Sequence, residues 1–205
     1  MEHRSQVEIE RKYDVREDTV PPQLVGVGAV AVASEPETAE LVATYYDTAD
    51  LALAHQRIAV RARRGGSDEG WHVKLAPGDE GRVELHWPLG DGEREPQALR
   101  DAIADALGDA TLLPIARIVN TRVTTVLRDA AGFDLAELCD DHVRGENLRS
   151  GGRDEWREWE VELLSGAPDT KSGRTALLDG VEQRLLEAGA RPSASGSKLQ
   201  HVLSL

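Results

Sequence analysis

Cysteine is almost absent from the chain, which contains Cys139 and no other. A single thiol cannot form an intramolecular disulfide, so a disulfide-stabilised scaffold is excluded and a reducing compartment is favoured. Long apolar runs are missing as well. No stretch approaches the roughly 20 apolar residues that a membrane span needs, and no apolar segment follows the charged N-terminus. We therefore expect a cytoplasmic protein without membrane contact, in which Cys139 is a packing residue.

Positive charge is also scarce. Lys and Arg together number 24 against 37 Asp and Glu, which gives a formal net charge of -13 over 205 residues. This balance argues against nucleic-acid binding through a basic surface. An anionic ligand would need a local basic pocket, or metal ions that reverse the local sign of charge. The length fits one large domain or two small ones, and we expect a single domain over residues 1–205.

The predicted strands carry most of their charge on one face. In residues 7–13, the side chains of Glu8, Glu10 and Lys12 share one face about 6–7 Å apart, and Val7, Ile9, Tyr13 and the longer Arg11 take the other face. For one strand, a solvated face is the simplest interpretation. The same alternation recurs in residues 57–64, 71–76, 82–88 and 155–164. This recurrence favours a charged interior.

Periodicity predicts about eight strands and several helices. The strands are expected at residues 7–13, 26–34, 38–48, 57–64, 71–76, 82–88, 115–128, 133–143 and 155–164, and the helices at 49–54, 96–107, 170–188 and 195–205. Asp47 or Thr48 would cap the first helix. A closed barrel can keep polar faces inside and apolar faces under helices, which a sandwich cannot do. We therefore predict an α+β fold with an eight-stranded antiparallel β-barrel flanked by helices.

The inward faces carry both signs of charge. The acidic set is Glu8, Glu10, Glu137, Asp141, Glu158, Glu160 and Glu162, and the basic set is Lys12, Arg61, Arg63, Lys74, Arg82 and Arg122. Clustered carboxylates suit hard cations such as Mg²⁺ or Mn²⁺, and clustered Arg and Lys suit phosphate oxygens. The interior is thus predicted to hold a metal-bound polyphosphate. Alternatively, the two sets only neutralise each other as ion pairs.

Short motifs spread over nearly the whole chain resemble those of one family. Glu8-x-Glu10-x-Lys12 is similar to the N-terminal signature of the CYTH family, the triphosphate tunnel metalloenzymes. Further matches follow in the order expected for that family: Tyr45-Tyr46-Asp47-Thr48, Val60-Arg61-Ala62-Arg63, Trp71-His72-Val73-Lys74-Leu75, Arg82-x-Glu84, Thr121-Arg122, Glu160-x-Glu162 and Ser197-Lys198. The resemblance implies a triphosphate tunnel, which is the same antiparallel barrel that the alternation predicts.

The resemblance also implies roles for individual residues. The metal ligands would be Glu8, Glu10, Glu160 and Glu162, and strand parity adds Asp141 in preference to Asp140. The phosphate-binding residues would be Lys12, Arg61, Arg63, Lys74, Arg82, Glu84, Arg122 and Lys198. Catalysis is expected from Glu8, Glu10, Lys12, Lys74, Glu160 and Glu162. Glu158 shares their parity and ranks below Glu160 and Glu162. Asn120 stands where many members have Lys, so Arg117 is a further candidate for that phosphate contact.

The activity implied by the resemblance is metal-dependent hydrolysis of inorganic triphosphate. Sequence alone separates this poorly from a thiamine- or nucleoside-triphosphatase or an adenylate cyclase, because all of them grip the same triphosphate. A non-catalytic polyphosphate-binding module is the other alternative. The intact carboxylate set disfavours it, since carboxylates repel an anion. The segment Leu163-Leu164-Ser165-Gly166 resembles bacterial members that carry a helical CHAD domain, which is expected as a partner in a longer parent chain.

Overall fold

The computed structural model describes residues 3–79, 81–90 and 94–205, and within these ranges the protein has eleven strands and five helices. The first part of the chain forms β1 (Arg4–Glu8), β2 (Glu10–Val15), β3 (Val32–Ala33), β4 (Glu37–Asp47), α1 (Ala52–His55), β5 (Ala59–Arg64), β6 (Gly70–Lys74) and β7 (Arg82–Trp87). The second part forms α2 (Gln97–Ala102), α3 (Ala104–Leu107), β8 (Leu113–Arg128), β9 (Asp134–Asn147), β10 (Arg153–Leu163), α4 (Lys171–Glu187), β11 (Arg191–Pro192) and α5 (Lys198–Leu203). No helix in these ranges is long and apolar enough to cross a membrane.

The strands form one antiparallel sheet that curls on itself. Their order is β1-β7-β6-β5-β4-β8-β9-β10-β2-β11, and β3 pairs with β8. β1 and β2 are consecutive in the chain and are separated by Ile9 alone. Because β1 pairs with β7 and β2 pairs with β10, the N-terminal segment connects the two sides of the sheet. The enclosed face becomes the wall of a cavity.

Apolar side chains on the outer face pack beneath the helices. α4 covers one cluster that includes Tyr13, Trp159, Val161, Leu178 and Val181. α2 and α3 cover a second cluster that includes Val60, Trp71, Val73, Trp87 and Leu99. α5 adds Leu199 and Val202 to a third cluster with Ile115, Ile118 and Val143. Since successive strand residues alternate between faces, this packing leaves the inner positions to charged residues.

The fold class predicted from the sequence is confirmed, since a curled antiparallel sheet is flanked by helices. The number of strands differs slightly from the prediction. β3 and β11 are only two residues long, and the predicted first strand is interrupted at Ile9. When these two short strands are set aside and β1 and β2 are counted as one bent strand, eight strands remain.

The predicted strand at residues 26–34 is wrong over most of its length. Gly26 and Gly28 have φ values of 90° and 52°, which are turn conformations and cannot continue an extended strand. Of the predicted strand, only Val32–Ala33 pairs, with β8.

The predicted helix at residues 96–107 is divided into two short helices. The division falls at Ile103, whose φ is −119°. Leu99, Ile103 and Leu107 are nevertheless all buried in the same cluster. Packing on the sheet therefore keeps the predicted apolar stripe without a continuous helix.

Candidate metal and phosphate site

A cavity of about 250 Å³ lies inside the curled sheet. Its walls carry the side chains that alternation placed on the inner face. The acidic lining residues are Glu8, Glu10, Asp68, Glu84, Glu137, Glu160 and Glu162, and the basic ones are Lys12, Arg61, Arg63, Lys74, Arg82, Arg122 and Lys198. The structure thus brings together nearly all of the residues that the sequence assigned to a metal-bound phosphate ligand.

Three buried carboxylates form a tight group on β9 and β10. Oxygen atoms of Asp141, Glu158 and Glu160 lie within 4.8 Å of one another. Lys198 Nζ lies 2.6–2.7 Å from an oxygen atom of each of them. Arg122 donates two hydrogen bonds to Asp141, at 2.7 and 2.6 Å. This group could hold a metal ion, and in the present arrangement Lys198 and Arg122 balance much of its charge.

The cations around Glu160 favour its ionised form. Burial by itself would raise the pKa of Glu160, but Lys12, Lys198 and Arg122 bring that pKa well below its ordinary value. Lys12 pairs with Glu160 and, at 3.2 Å, with Glu10. Lys12 therefore lies between this group of carboxylates and a second acidic group, which Glu8, Glu10 and Glu162 form.

In the second acidic group, Glu162 has too little positive charge around it. Lys74 pairs with Glu8 at 2.6 Å, but no Lys or Arg in the described part of the chain forms an ion pair with Glu162. Burial, together with the charges of Glu8 and Glu10, raises the pKa of Glu162 to about 8. A set of carboxylate oxygens with an excess of negative charge fits a hard divalent cation.

Arg63, which forms a wall of the cavity with Arg61 and Arg122, has the opposite imbalance. Burial and the charges of Arg61 and Arg122 lower the pKa of Arg63 to about 9. Asn120 lines the same wall and is buried. Its Oδ1, which can only accept a hydrogen bond, has no partner among the described residues. This wall fits the oxygen atoms of a polyanion.

Arg117 is not part of the cavity wall. Its side chain is exposed, and the residue lies opposite Glu146 on β9. The pairing of β8 with β9 is regular from Arg117 to Arg122, and residues an odd number of positions apart face opposite sides of a strand. The structure therefore corrects the predicted placement of Arg117 beside the phosphate ligand.

Two other predictions of orientation can be compared with the structure. Asp141 faces the interior, whereas Asp140 accepts two hydrogen bonds from Arg157, at 2.8 and 2.7 Å, as parity predicted. Arg82 lines the cavity, but its guanidinium also donates to the carbonyl oxygens of Leu75 and Arg57, each at 2.8 Å. Part of its hydrogen-bonding capacity is therefore used to join neighbouring segments.

Sequence reasoning missed two lining residues, Tyr45 and Asp68, and underrated Glu158 of the buried carboxylate group. The Tyr45 hydroxyl lies 3.4 Å from Arg61 NH1, and strand parity could have identified it. Asp68 forms an ion pair with Arg63 from a loop, where parity gives no information. Glu158 completes the buried group of carboxylates, although it had been ranked below Glu160.

Asp47 and Thr48 have a structural role. Buried Asp47 accepts hydrogen bonds from the backbone nitrogens of Thr48, Leu53 and Ala54, at 2.7–2.9 Å. Thr48 Oγ1 accepts one from Ala52 N at 2.8 Å. Both side chains thus satisfy free N–H groups at the start of α1, as the sequence predicted.

Comparison with known proteins supports the resemblance to the CYTH family. The profile of the CYTH domain matches residues 6–187. Two uncharacterized proteins of Mycobacterium tuberculosis, from strains CDC 1551 and H37Rv, are each 40% identical over 210 residues, which cover 96% of this chain and 40% of theirs. The chain therefore spans about two fifths of the length of these relatives. These matches do not support a CHAD domain, which stays a prediction.

Solved structures share the fold. A candidate adenylate cyclase from Bacillus halodurans aligns with a TM-score of 0.67 at 21% identity, over 96% of this chain and 97% of its own. A candidate adenylyl cyclase from Hippeastrum, described as having a dominant triphosphatase activity, aligns with a TM-score of 0.51 at 21% identity, over 96% and 95%. Identities this low show the fold alone. Because the family profile matches most of its length, the chain belongs to the CYTH domain family.

Proposed function

We propose that this protein hydrolyses inorganic triphosphate with the help of Mg²⁺ or Mn²⁺. The observation that carries the proposal is the separation of charge within one cavity. The pKa of Glu162 is raised to about 8, and the pKa of Arg63 is lowered to about 9. Burial is the largest cause of both shifts, and like charges nearby add to it: Glu8 and Glu10 for Glu162, and Arg61 and Arg122 for Arg63. A divalent cation combined with a polyphosphate relieves both imbalances, which a simple cation or anion does not.

The metal would be held by carboxylates from two parts of the cavity. Glu8, Glu10 and Glu162 supply the oxygen atoms where negative charge is in excess, with Asp141 and Glu160 as further ligands from the buried group. Carboxylate oxygen is the donor that Mg²⁺ and Mn²⁺ prefer. When bound, the metal supplies Lewis-acid polarisation of a phosphoryl oxygen and activation of water.

The chain's own cations would bind and orient the phosphate groups. Arg61, Arg63 and Arg122 form a fixed wall, and the two hydrogen bonds from Arg122 to Asp141 hold its guanidinium in place. In phosphoryl transfer, negative charge is spread over the peripheral and leaving oxygens, and preorganised cations stabilise it. Lys12, which pairs with Glu10 and Glu160, would neutralise charge on the leaving phosphate.

Phosphate release by wild-type protein, Glu162→Gln and Glu155→Gln tests the proposal. The substrates are tripolyphosphate, pyrophosphate, ATP and thiamine triphosphate, each with Mg²⁺, Mn²⁺ or EDTA. Glu155 is a matched control because it is exposed on the same strand. We expect release from tripolyphosphate that EDTA abolishes. Glu162→Gln should reduce it by about tenfold or more at limiting metal, through the loss of a charged ligand, whereas Glu155→Gln should resemble the wild type.

Other outcomes would contradict the proposal in distinct ways. Equal release in EDTA would exclude metal dependence. Tight binding of tripolyphosphate without release from any substrate would favour a polyphosphate-binding module. Preference for ATP or thiamine triphosphate would change the substrate, and formation of cyclic AMP and pyrophosphate from ATP would indicate a cyclase.

We also propose that residues 1–205 form a single CYTH domain. The profile match at residues 6–187 and the continuous sheet support this proposal. We expect one cooperative unfolding transition, monitored by circular dichroism and tryptophan fluorescence. Two separate transitions would contradict it.

A further inference from the structure

The loop at residues 65–69, between β5 and β6, lies beside the basic wall of the cavity. Two histidines hold its backbone. His72 Nε2 donates to the carbonyl oxygen of Asp68 at 3.0 Å, and His86 Nε2 donates to the carbonyl oxygen of Glu69 at 3.2 Å. The main chain of the loop is therefore fixed, whatever its side chains contact.

The Asp68 side chain covers a cation of the cavity. Its carboxylate forms an ion pair with Arg63, and it lines the main cavity itself. The Arg63 side chain is 8% exposed, whereas that of Asp68 is 47% exposed. A buried guanidinium is thus paired with a half-exposed carboxylate from a loop. The oxygen atoms of Asp68 occupy a position on Arg63 that a phosphate oxygen could otherwise take.

Asp68 also lines a small second cavity of about 30 Å³, to which Arg4 contributes. Gln6 and Glu84 line both cavities as well. Arg4 is a cation of the small cavity, whereas the Nε2 atoms of His72 and His86 already donate to the loop. The Asp68 carboxylate is therefore shared by the main cavity and by a small cavity that contains a further cation.

We propose that Asp68 determines how many phosphoryl groups the cavity accepts, an inference that rests on the proposed triphosphatase function. A linear phosphate that begins at the acidic group around Glu162 continues along the arginine wall and ends at Arg63. A longer chain would bring a further phosphoryl group against the Asp68 carboxylate, and contact between like charges opposes binding. Asp68 is thus a specificity-determining residue that favours triphosphate over longer inorganic polyphosphates.

The test is the ratio of kcat/KM for tetrapolyphosphate to kcat/KM for tripolyphosphate. It is measured for wild type, Asp68→Asn, Asp68→Ser and Glu69→Gln. Glu69→Gln is a matched control because it makes the same charge change in the same loop, and Glu69 Oε2 accepts a hydrogen bond from Gly65 N at 3.0 Å that Gln can retain. We expect the ratio to rise about tenfold or more in both Asp68 variants and to stay unchanged in Glu69→Gln.

A ratio is independent of the fraction of active protein, so partial loss of fold does not affect the result. An unchanged ratio in both Asp68 variants would overturn the proposal. An equal gain for both substrates would overturn it as well, because Asp68 would then hinder all phosphates alike. If the wild type binds tripolyphosphate and releases no phosphate, the proposed function fails separately. The same ratio is then taken from Kd values measured by calorimetry with the two polyphosphates.

Discussion

At the residue scale, Glu162 and Arg63 are two residues that internal ion pairs neutralise poorly. If the acidic and basic residues only neutralised each other, they would form ion pairs such as that between Lys198 and Glu160, at 2.6 Å. Glu162 has no such partner among the described residues, and Arg63 has the half-exposed Asp68. Burial of poorly compensated charge costs free energy. A ligand that supplies the missing counter-charges would offset this cost.

Glu162→Gln should change how stability depends on pH in metal-free protein. The folded-state pKa of Glu162 is about 8, above the ordinary value of 4.5. Between these pH values the folded state keeps a proton that the unfolded state has lost. The free energy of unfolding therefore falls as pH rises through this window, by about 1 kcal/mol per pH unit. Urea denaturation across the window should show a flatter slope for Glu162→Gln than for wild type.

Saturating Mg²⁺ should flatten the wild-type slope in the same way, because a bound cation keeps the carboxylate ionised in the folded state. Glu155→Gln again serves as the control and should retain the wild-type slope. Identical slopes for wild type and Glu162→Gln would mean that another group neutralises the Glu162 carboxylate, although Glu162 forms no ion pair among the described residues.

At the element scale, α5 positions Lys198 against the buried carboxylates. Ser197 caps this helix, since its Oγ accepts a hydrogen bond from Gln200 N at 3.1 Å. Leu199 and Val202 anchor the helix in the apolar cluster beside β8 and β9. The position of the Lys198 ammonium group thus depends on a cap and on packing, whereas the other cations of the cavity wall are carried by strands.

Ser197→Ala should weaken phosphate binding by loosening this helix. We expect a loss of about 1 kcal/mol of stability, typical of a lost N-cap, together with a raised KM for tripolyphosphate. Thr170→Ala is the matched control because Thr170 caps α4, where its side chain accepts a hydrogen bond from Gly173 N at 3.1 Å. The Thr170→Ala variant should lose a similar amount of stability without a change in KM for tripolyphosphate. A rise in KM of the same size in both variants would indicate a general effect of destabilisation.

At the scale of the whole molecule, an acidic protein encloses a cavity with a basic wall. The net charge of -13 repels anions over long distances, so an anionic ligand depends on the cavity's own cations and on accompanying metal. The cavity exists because the N-terminal segment pairs with both β7 and β10. Its charged residues come from many strands, and ligand binding should therefore stabilise the whole sheet.

Tripolyphosphate and Mg²⁺ together should raise the melting temperature more than either alone. A ligand at about a hundred times its Kd adds about 3 kcal/mol of stability, which corresponds to roughly 5–10 °C for a domain of this size. The measurement is differential scanning fluorimetry of wild type and Glu162→Gln with each ligand and with both. In Glu162→Gln, the additional shift caused by the metal should be lost. A shift that is merely additive in wild type would contradict a shared site.

The sequence alone determined, for most of the strands, which side faces the interior. Period-two alternation placed Glu8, Glu10 and Glu160 inside and selected Asp141 over Asp140, because a regular strand cannot turn adjacent side chains to the same face. The same rule applied to β8 would have excluded Arg117. It also predicted the barrel, since charged inner faces and apolar outer faces are compatible in a closed sheet covered by helices.

Only the tertiary structure decided which charges meet. Lys198 reaches Glu160 from a helix, and Asp68 reaches Arg63 from a loop; neither contact has a periodicity that a sequence could reveal. The imbalance at Glu162 arises in the same way, because the carboxylates around it come from strands far apart in the chain. Parity assigns a side chain to a face, but the counter-charge that it finds there depends on how the sheet closes.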